Sequence, residues 1–499
     1  MRQLLLRLRP ADANQQVFVG FATLLLLGGG LAGWRQQPAL LLPALAVPLL
    51  LLALVRWQWL YYGLFLTLPF SHEFGLPGGL RMDVPSEPLL LSLLVCVPLA
   101  LRLGPGGWRQ LAPREWRHPL LLLPLLLLVW AALDTCFSVD KLRSIKYLLA
   151  KSWYLAPFLL GSLLVLRRPA DFWRLAACYV GGAVASLLWV LPRQASVHFS
   201  FAQVNWPIQP FYRNHVIYAT TLALLLPLAA GLAAQAPTLA RRWLWRGAAA
   251  LLLVGLVLSY TRASWLSLPV AGLAYGVMRL RLMRPVLLGL ALAVAGATAY
   301  FVHEENFMRF RPDFKQTTWH GGDLVAHLQS TYKMRDVSGM ERVYRWVAAA
   351  RMVADKPFTG SGPSTFNPTY KRYTVSSFRT YVSANHEGST VHNYFLMQLA
   401  EQGIPAFVLF CLLVGTALLT AERLYHATRP YPELHRVALA ASLSFIIILF
   451  HLSLNELVEN DKIGSIFFVA LAVLIRTGTW LEERRASQAS TARPLAGQA

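Results

Sequence analysis

The sequence predicts an all-α polytopic membrane protein with 12 to 14 transmembrane helices and one large helical loop on the periplasmic side. Hydrophobic residues make up 56% of the 499 positions, and charged residues make up only 14%. Soluble globular domains carry far more charge than this, so the composition indicates a chain surrounded by lipid. No strand pattern of any length is visible, which leaves helices to satisfy the backbone hydrogen bonds within the membrane.

Apolar runs that are long enough, or nearly long enough, to cross the hydrocarbon recur along the chain. They begin near Val17, Ala39, Pro88, His118, Ser144, Trp173, Val216, Trp245, Arg284, Asn393, Val437 and Lys462. Two shorter runs, Trp57 to Phe70 and Trp265 to Met278, raise the expected number of spans from twelve to fourteen. The basic stretch Met1 to Pro10 resembles the start of a signal peptide, but because many spans follow we expect an uncleaved first helix.

The formal charge of +22 reflects membrane orientation rather than a nucleic-acid partner. The basic residues stand in short clusters between apolar runs, and if the N-terminus lies inside, these clusters fall in the cytoplasm, as the positive-inside tendency requires. We therefore expect an inner-membrane protein that binds no nucleic acid. The clusters are Arg102/Arg109/Arg114/Arg117, Arg167/Arg168, Arg241/Arg242, Arg279/Arg281/Arg284 and Arg423/Arg429.

The same topology divides the chain into four parts. We expect transmembrane helices with arginine-bearing outer turns over residues 1–302, a periplasmic loop subdomain over 303–391, C-terminal transmembrane helices over 392–482, and a disordered cytoplasmic tail over 483–499. In the loop, Ser338 and Glu341 have the spacing of a capping box and predict a helix from Met340 to Ala354. The tail is rich in Ser, Ala, Thr and Gln and has few groups to bury.

The cysteine pattern indicates neither a zinc site nor a redox pair, and we expect no cofactor. The four cysteines, Cys96, Cys136, Cys178 and Cys411, are scattered along the chain. None has the CxxC or Cys/His spacing that a zinc site or a redox pair needs.

Polar residues that could carry chemistry collect at the predicted outer ends of the spans. The apolar runs themselves are nearly free of Asp and Glu, which argues against an ion or proton path through the membrane. Guanidinium groups near a hydrophobic bundle are costly unless an anion compensates, and their planar forks suit phosphate oxygens. Snorkelling to lipid headgroups is the alternative, above all for Arg143 and Lys146. The residues concerned are Arg81, Arg143, Lys146, Arg213, His215 and Arg262.

Two of these positions stand out by their local sequence. Arg262 lies in a polar turn between two short apolar runs, flanked by Ser259, Tyr260, Thr261 and Ser264. His392 opens an apolar run, and Ser389 could cap the helix so that the imidazole falls in its first turn. The helix dipole disfavours imidazolium there, which predicts a neutral imidazole competent as a general base. Simple hydrogen bonding of His392 to nearby backbone is the alternative.

Three stretches together resemble the O-antigen ligase and polymerase superfamily. They are Leu256 to Trp265, Trp346 to Thr365 with its Asp-Lys-Pro-Phe-Thr-Gly-Ser-Gly segment, and Val391 to Pro405. The last is the most specific, because it joins a His-Asn pair at a helix start to Glu-x-Gly-Ile-Pro. The resemblance covers about Arg213 to Pro405 and, through topology, most of the chain.

The resemblance implies a glycosyltransferase whose donor is a glycan linked to undecaprenyl pyrophosphate, with neither metal nor nucleotide. In its ligase branch, O-antigen is transferred to the lipid A core. On this basis we expect Arg213 and Arg262 to hold the pyrophosphate while His392 deprotonates the acceptor hydroxyl for direct, inverting displacement. We expect substrate contacts from Arg81, Lys146, His215, Tyr260, Arg342, Arg345, His386, Asn393 and Glu456.

Several alternatives stay open at this stage. His386, Glu387 and the carboxylates of the stretch from Asn455 to Asp461 could replace or position the base. A polymerase or a protein O-oligosaccharyltransferase would share the donor chemistry, and a lipid-linked glycan transporter would bind the same donor without joining anything. The basic loop favours a phosphorylated acceptor such as the lipid A core, through Arg335, Arg342, Arg345, Arg351, Lys371 and Arg372.

Overall fold

The computed structural model describes residues 57–75, 81–104, 106–304, 306, 337–375 and 390–492, together with six isolated positions between 20 and 31. Helices account for most of these residues, which confirms the all-α prediction. The spans expected near Val17 and Ala39 lie outside the described residues apart from those isolated positions. Within the described part, a helix covers each of the other expected spans.

Thirteen helices of the described region position the candidate site. Eight are long and apolar enough to cross a membrane, namely α2, α4, α5, α6, α9, α11, α12 and α13 in the numbering below, and α3 is a shorter apolar helix. The helices are α1 (57–67), α2 (Ser86–Leu103), α3 (Pro119–Thr135), α4 (Lys141–Val165), α5 (Pro169–Ser196), α6 (His215–Gln235), α7 (Leu239–Val257), α8 (Arg262–Arg279), α9 (Met283–Val302), α10 (Val337–Asp355), α11 (Tyr394–Ala427), α12 (Pro432–Leu452) and α13 (Asp461–Ala492).

One short hairpin corrects the expectation that the chain has no strand. Strand β1 (His72–Gly75) pairs antiparallel with β2 (Arg81–Val84), with Gly75 opposite Arg81. Each strand has only four residues, which is too short to show the period-two alternation on which strand prediction rests. The hairpin is a local feature between α1 and α2, so the fold class is unchanged.

The starts of several helices meet at one end of the bundle, which we call the site end. The Thr261 hydroxyl before α8 donates to the His215 carbonyl at the start of α6, at 3.3 Å. The side-chain amide of Asn393, before α11, donates through Nδ2 to the Ser453 carbonyl after α12, at 3.1 Å. The alternation of the spans along the chain places further predicted site residues at this end: Arg81, Lys146, Arg213, Arg262 and His392.

The opposite end carries the predicted cytoplasmic arginine clusters. There Arg476 of α13 forms a buried ion pair with Glu115, with 2.8 Å between Nη1 and Oε1. The Trp480 indole donates to the Arg167 carbonyl at 2.9 Å, so the connection between α4 and α5 packs against the end of α13. The separation of the two sets of basic residues follows the predicted topology, and the membrane face to which each end belongs stays a prediction.

The last helix runs beyond the predicted start of the tail. Helix α13 continues to Ala492, so the predicted boundary at residue 483 falls inside it. Glu482 to Arg485 and the alanines that follow are acceptable helix formers, which lets the helix extend past the apolar part. Residues 493–499 lie outside the described region.

The loop helix and the Gly-Ser-Gly segment both dock on the start of α11. The predicted helix from Met340 to Ala354 is present as α10, and its Trp346 indole donates to the Val391 carbonyl at 3.0 Å. The Gly362 amide donates to the Glu401 carbonyl at 2.7 Å. The Glu401 carboxylate in turn accepts the Ser364 and Phe366 amides at 2.9 and 2.8 Å. Two of the three stretches that carried the family resemblance therefore form one packed unit.

A glycine in α11 makes this docking possible. Gly403 has φ +71°, a left-handed conformation that interrupts the helix. A Cβ at this position would overlap the Phe358 carbonyl, which belongs to the segment before Gly360. The Glu-x-Gly-Ile-Pro motif thus requires glycine both for the bend and for close approach of the loop.

Candidate active site

His392 lies immediately before α11 rather than in its first turn. Asn393 is the helix cap, and its Oδ1 accepts the Leu396 amide at 3.0 Å. His392 itself has φ +56°, which is left-handed backbone and not helix. The prediction that the imidazole occupies the first turn is therefore wrong, because Asn393 takes the cap position and the helix begins after it. Ser389, the cap that the sequence favoured, lies outside the described residues.

Arg345 of the loop helix holds the His392 imidazole. The Arg345 Nη1 atom donates to His392 Nε2 and to the Thr390 carbonyl, each at 2.9 Å. Its Nη2 lies 3.4 Å from the Glu341 carboxylate, and only 3% of Arg345 is exposed. A guanidinium can only donate, so Nε2 is the accepting nitrogen and a neutral imidazole carries its proton on Nδ1.

The environment keeps this imidazole neutral. Burial lowers the pKa of His392 below its usual value, and the charges of Arg345 and Arg342 lower it further, whereas the charge of Glu456 raises it. The direction agrees with the neutral form predicted from the sequence. The cause is different, since burial and two arginines replace the helix dipole that the prediction invoked.

Two polar atoms of this cluster are left unsatisfied. His392 Nδ1 and Glu456 Oε2 are both buried, and neither makes a well-formed hydrogen bond to another described residue. Glu456 lies in the connection between α12 and α13, beside Asn455, whose side chain also interacts with the imidazole. Buried polar groups are nearly always paired, so these atoms mark a place where a ligand with polar groups fits.

A second cluster of polar residues surrounds the turn that contains Arg262. The Tyr260 hydroxyl, on a residue with φ +53°, donates to the Phe199 carbonyl at 2.7 Å. The His215 carbonyl accepts a hydrogen bond from the Thr261 hydroxyl, and the distance from His215 Nδ1 to Asn205 Oδ1 is 3.1 Å. These bonds hold the turn before α8 against the turn before α6. The fold thus brings Arg262 and Tyr260 next to His215, with exposed Arg213 two residues before His215.

The remaining predicted site residues have different positions. Asn393 joins α11 to the end of α12 through the cap and the Ser453 contact described above. Lys146 is exposed on α4, and Arg81 belongs to strand β2. Arg342 acts on His392 through its charge. His386 lies outside the described residues.

The comparison with known families bears on this site directly. Residues 247–411 match the family described as O-Antigen ligase. Over this segment the chain is similar to the O-antigen ligase family. Together with the apolar helices, the match indicates a multi-pass bacterial membrane protein that resembles membrane glycosyltransferases of the O-antigen ligase and polymerase type. No curated protein sequence matches the chain.

The matched segment covers part of the candidate site. It contains the Arg262 turn, the loop helix with Arg345, and His392 with the start of α11. Arg213 precedes it and Glu456 follows it. Arg213 and Glu456 lie outside the match but at the same end of the bundle, because α6 and the connection after α12 both return to that end.

The sequence reasoning missed a buried ion pair beside the site. Lys151 of α4 is 8% exposed, and its Nζ lies 2.7 Å from Glu459 Oε1 and 3.3 Å from the Tyr394 hydroxyl. The Tyr394 hydroxyl also donates to Glu459, at 3.1 Å. The signal was present, since Lys151 is a cation well inside the run that begins near Ser144, five residues after Lys146.

A cavity of about 50 Å³ lies beside this ion pair. Its polar wall is formed by Lys151, Tyr147, Gln398 and Gln402, and its apolar wall by side chains of α3, α11 and α13. In the part of the chain that the structure describes, no group of three or more His, Cys, Asp and Glu residues could hold a metal ion.

Proposed function

We propose that this protein transfers O-antigen polysaccharide from undecaprenyl pyrophosphate to the lipid A core at the periplasmic face of the inner membrane. The observation that supports this most is the buried, neutral His392 beside the unsatisfied Glu456 carboxylate, at the bundle end that also carries the Arg262 turn. Such a site can remove a proton from a hydroxyl and bind an anion. The match of residues 247–411 to the O-antigen ligase family supports the substrate class.

Arg213 and Arg262 are proposed to hold the donor pyrophosphate. The periplasm holds no nucleotide triphosphates, so a transferase there needs a donor already activated and anchored in the membrane. Arg262 is the first residue of α8, where the positive end of the helix dipole adds to its charge. Charge develops on the pyrophosphate as the glycosidic bond breaks, and losing one such donor costs about 3 to 4 kcal/mol in comparable sites.

The other polar residues of the site end are proposed to bind the two substrates. His215 and Tyr260 adjoin the arginine turn, so they belong with the donor. Arg342 and Arg345 lie on the loop helix and act on His392, so their proposed contacts are with a phosphorylated acceptor. Contacts from Arg81, Lys146, His386 and Asn393 remain proposals.

The chemistry is proposed to be a single displacement without a metal. The acceptor hydroxyl attacks the anomeric carbon, the bond from that carbon to the phosphate oxygen breaks, and the electron pair leaves with the pyrophosphate. The configuration at carbon inverts. The hydroxyl proton passes to a base in the His392 cluster, where the sequence favoured the imidazole and left the neighbouring carboxylates as alternatives.

Reconstitution tests this function and its competitors. Purified protein in liposomes receives undecaprenyl-pyrophosphate-linked glycan and lipid A core on the site-end side only, and products are separated by gel. We expect glycan joined to the core, and Arg262→Ala should lose this product while folding normally.

Other products would identify other functions. Glycan chains lengthened in the absence of core would indicate a polymerase, and glycan joined to an added acceptor protein would indicate a protein O-oligosaccharyltransferase. Movement of donor across the membrane without any joined product would contradict the proposal and indicate a carrier.

A further inference from the structure

We infer that Glu456, rather than His392, accepts the proton of the acceptor hydroxyl, while His392 presents its Nδ1–H to the reacting groups. This inference rests on the proposed transfer reaction and assigns the two roles within it. It departs from the sequence-based hypothesis, in which the imidazole was the base. The contacts of His392 and of the nearby carboxylates carry it.

The accepting nitrogen of His392 is already occupied. A neutral imidazole has one lone pair for accepting a hydrogen bond or a proton, and the Arg345 contact of 2.9 Å uses it at Nε2. The other nitrogen, Nδ1, therefore bears the hydrogen. It can donate to an oxygen of a substrate, but it cannot take a proton.

Arg345 is poorly placed to leave Nε2. Its guanidinium is buried, and it also binds the Thr390 carbonyl and the Glu341 carboxylate. Glu341 is itself only 5% exposed. Moving Arg345 away would break its ion pair with the buried Glu341 carboxylate, which is strongly unfavourable. The Arg345 contact is thus a fixed part of the cluster.

Glu456 is the carboxylate with an accepting atom to spare. Its Oε2 is buried without a hydrogen bond among the described residues, and its charge acts on the His392 imidazole more strongly than that of either arginine. The nearby carboxylates are committed elsewhere. Glu459 binds a buried lysine and a tyrosine, and Asp461 accepts from a serine and a tyrosine.

The reaction balances with these roles. The acceptor oxygen forms the new bond to the anomeric carbon, and its proton moves to Glu456. The bond from that carbon to the phosphate oxygen breaks, and the pyrophosphate keeps the electron pair. The His392 Nδ1–H donates to an oxygen at the reacting centre, and release of the Glu456 proton to water completes the cycle.

Two substitutions separate the roles. Glu456→Gln removes the acceptor and should lower the transfer rate by about 10²-fold or more, the usual contribution of a general base. His392→Asn keeps a donor near the Nδ1 position, and Asn tolerates the left-handed backbone that φ +56° imposes. The transfer rate of His392→Asn should fall only about tenfold, the equivalent of one weakened hydrogen bond.

Controls and a pH profile make the comparison sharp. Binding of undecaprenyl pyrophosphate shows that each variant still folds, and Glu483→Gln, an exposed acid at the opposite end, should match the wild type. The transfer rate of the wild type should rise with pH. This rise should be absent in Glu456→Gln and present in His392→Asn. The groups that act on the imidazole are Arg342 and Arg345 of α10 and Glu456 with Asn455 after α12. Glu341 of α10 binds Arg345.

The outcomes distinguish this inference from the proposed function. If the wild type makes product, wild-type rates in Glu456→Gln overturn the assignment, as does loss of the pH-dependent rise in His392→Asn alone. If the wild type makes no product with active donor and core, the transferase proposal itself fails.

Discussion

At the scale of single residues, one contact decides what His392 can do. The sequence indicated a neutral histidine at a helix start, and the structure agrees on the charge. The partner could not be predicted, because Arg345 is 47 positions away and meets the imidazole only when α10 folds back onto the start of α11. The unusual backbone of His392 is likewise set by Asn393 taking the cap.

The titration of His392 should follow its surroundings. Its pKa is lowered mainly by burial, so the imidazole should titrate below the usual 6.5 in spectra of protein labelled with ¹⁵N-histidine. Glu456→Gln should lower the midpoint further, because the carboxylate raises the pKa, and Arg342→Ala should raise it. An unchanged midpoint in both variants would show that these charges do not act on the imidazole.

The same pKa gives a dependence of stability on pH. The unfolded chain binds a proton at His392 near pH 6.5, and the folded chain binds it only at lower pH. The free energy of unfolding therefore loses the contribution of His392 as the pH falls below about 6.5. In His392→Asn this part of the pH dependence should disappear, as measured by thermal unfolding in detergent between pH 5 and 7.

The Lys151 and Glu459 ion pair should be required for stability. Lys151→Met leaves the Glu459 charge partly buried without its partner. We expect the free energy of unfolding to fall by about 3 kcal/mol. This value is at the low end for buried pairs because Glu459 is 27% exposed. The neighbouring Lys146→Met, on the exposed face of the same helix, should change stability by less than about 0.5 kcal/mol. Equal stability of both variants would contradict a structural role for the pair.

At the scale of elements, the apolar runs predicted the helices well and the connections poorly. Apolar length locates a span because the hydrocarbon thickness requires it. A helix covers each expected span in the described region, and eight of these helices are long and apolar enough to cross a membrane. The hairpin of β1 and β2, the cap of α11 and the extension of α13 were missed or misplaced. These features depend on short segments or on tertiary neighbours, which no periodicity reports.

The bend at Gly403 gives a prediction at this scale. Gly403→Ala places a Cβ against the Phe358 carbonyl in a left-handed conformation, and should cost at least about 1 to 2 kcal/mol. It should also reduce transfer, because the loop that supports His392 docks there. Gly415→Ala lies in the same helix with open space around its Cβ and is the matched control. Wild-type melting and transfer in Gly403→Ala would show that the bend is dispensable.

At the scale of the whole molecule, topology was the strongest sequence argument. Alternation of the spans predicted that the residues opposing the positive-inside tendency share one end, and the described contacts bring those helix ends together. The sequence also identified the arginine turn and His392. It predicted a substrate contact from Glu456 but not a role as the base in preference to its neighbours, since its unsatisfied oxygen exists only in the fold.

The orientation of the bundle is testable by labelling. Glu304 is exposed at the site end and Glu483 is exposed at the opposite end, so each can be replaced by a cysteine for labelling. In a background with exposed Cys136 replaced by Ser, a membrane-impermeant maleimide should label position 304 in cells with a permeabilised outer membrane. Position 483 should react only after the inner membrane is opened. The reverse pattern would place the site end in the cytoplasm.

The central claim is that the arginine turn and the His392 cluster serve one reaction, and a structure with bound undecaprenyl pyrophosphate tests it most directly. We predict the diphosphate on Arg213 and Arg262, with the space left for an acceptor hydroxyl bordered by His392 Nδ1 and Glu456. A diphosphate bound elsewhere, or separated from His392 by packed protein, would contradict it.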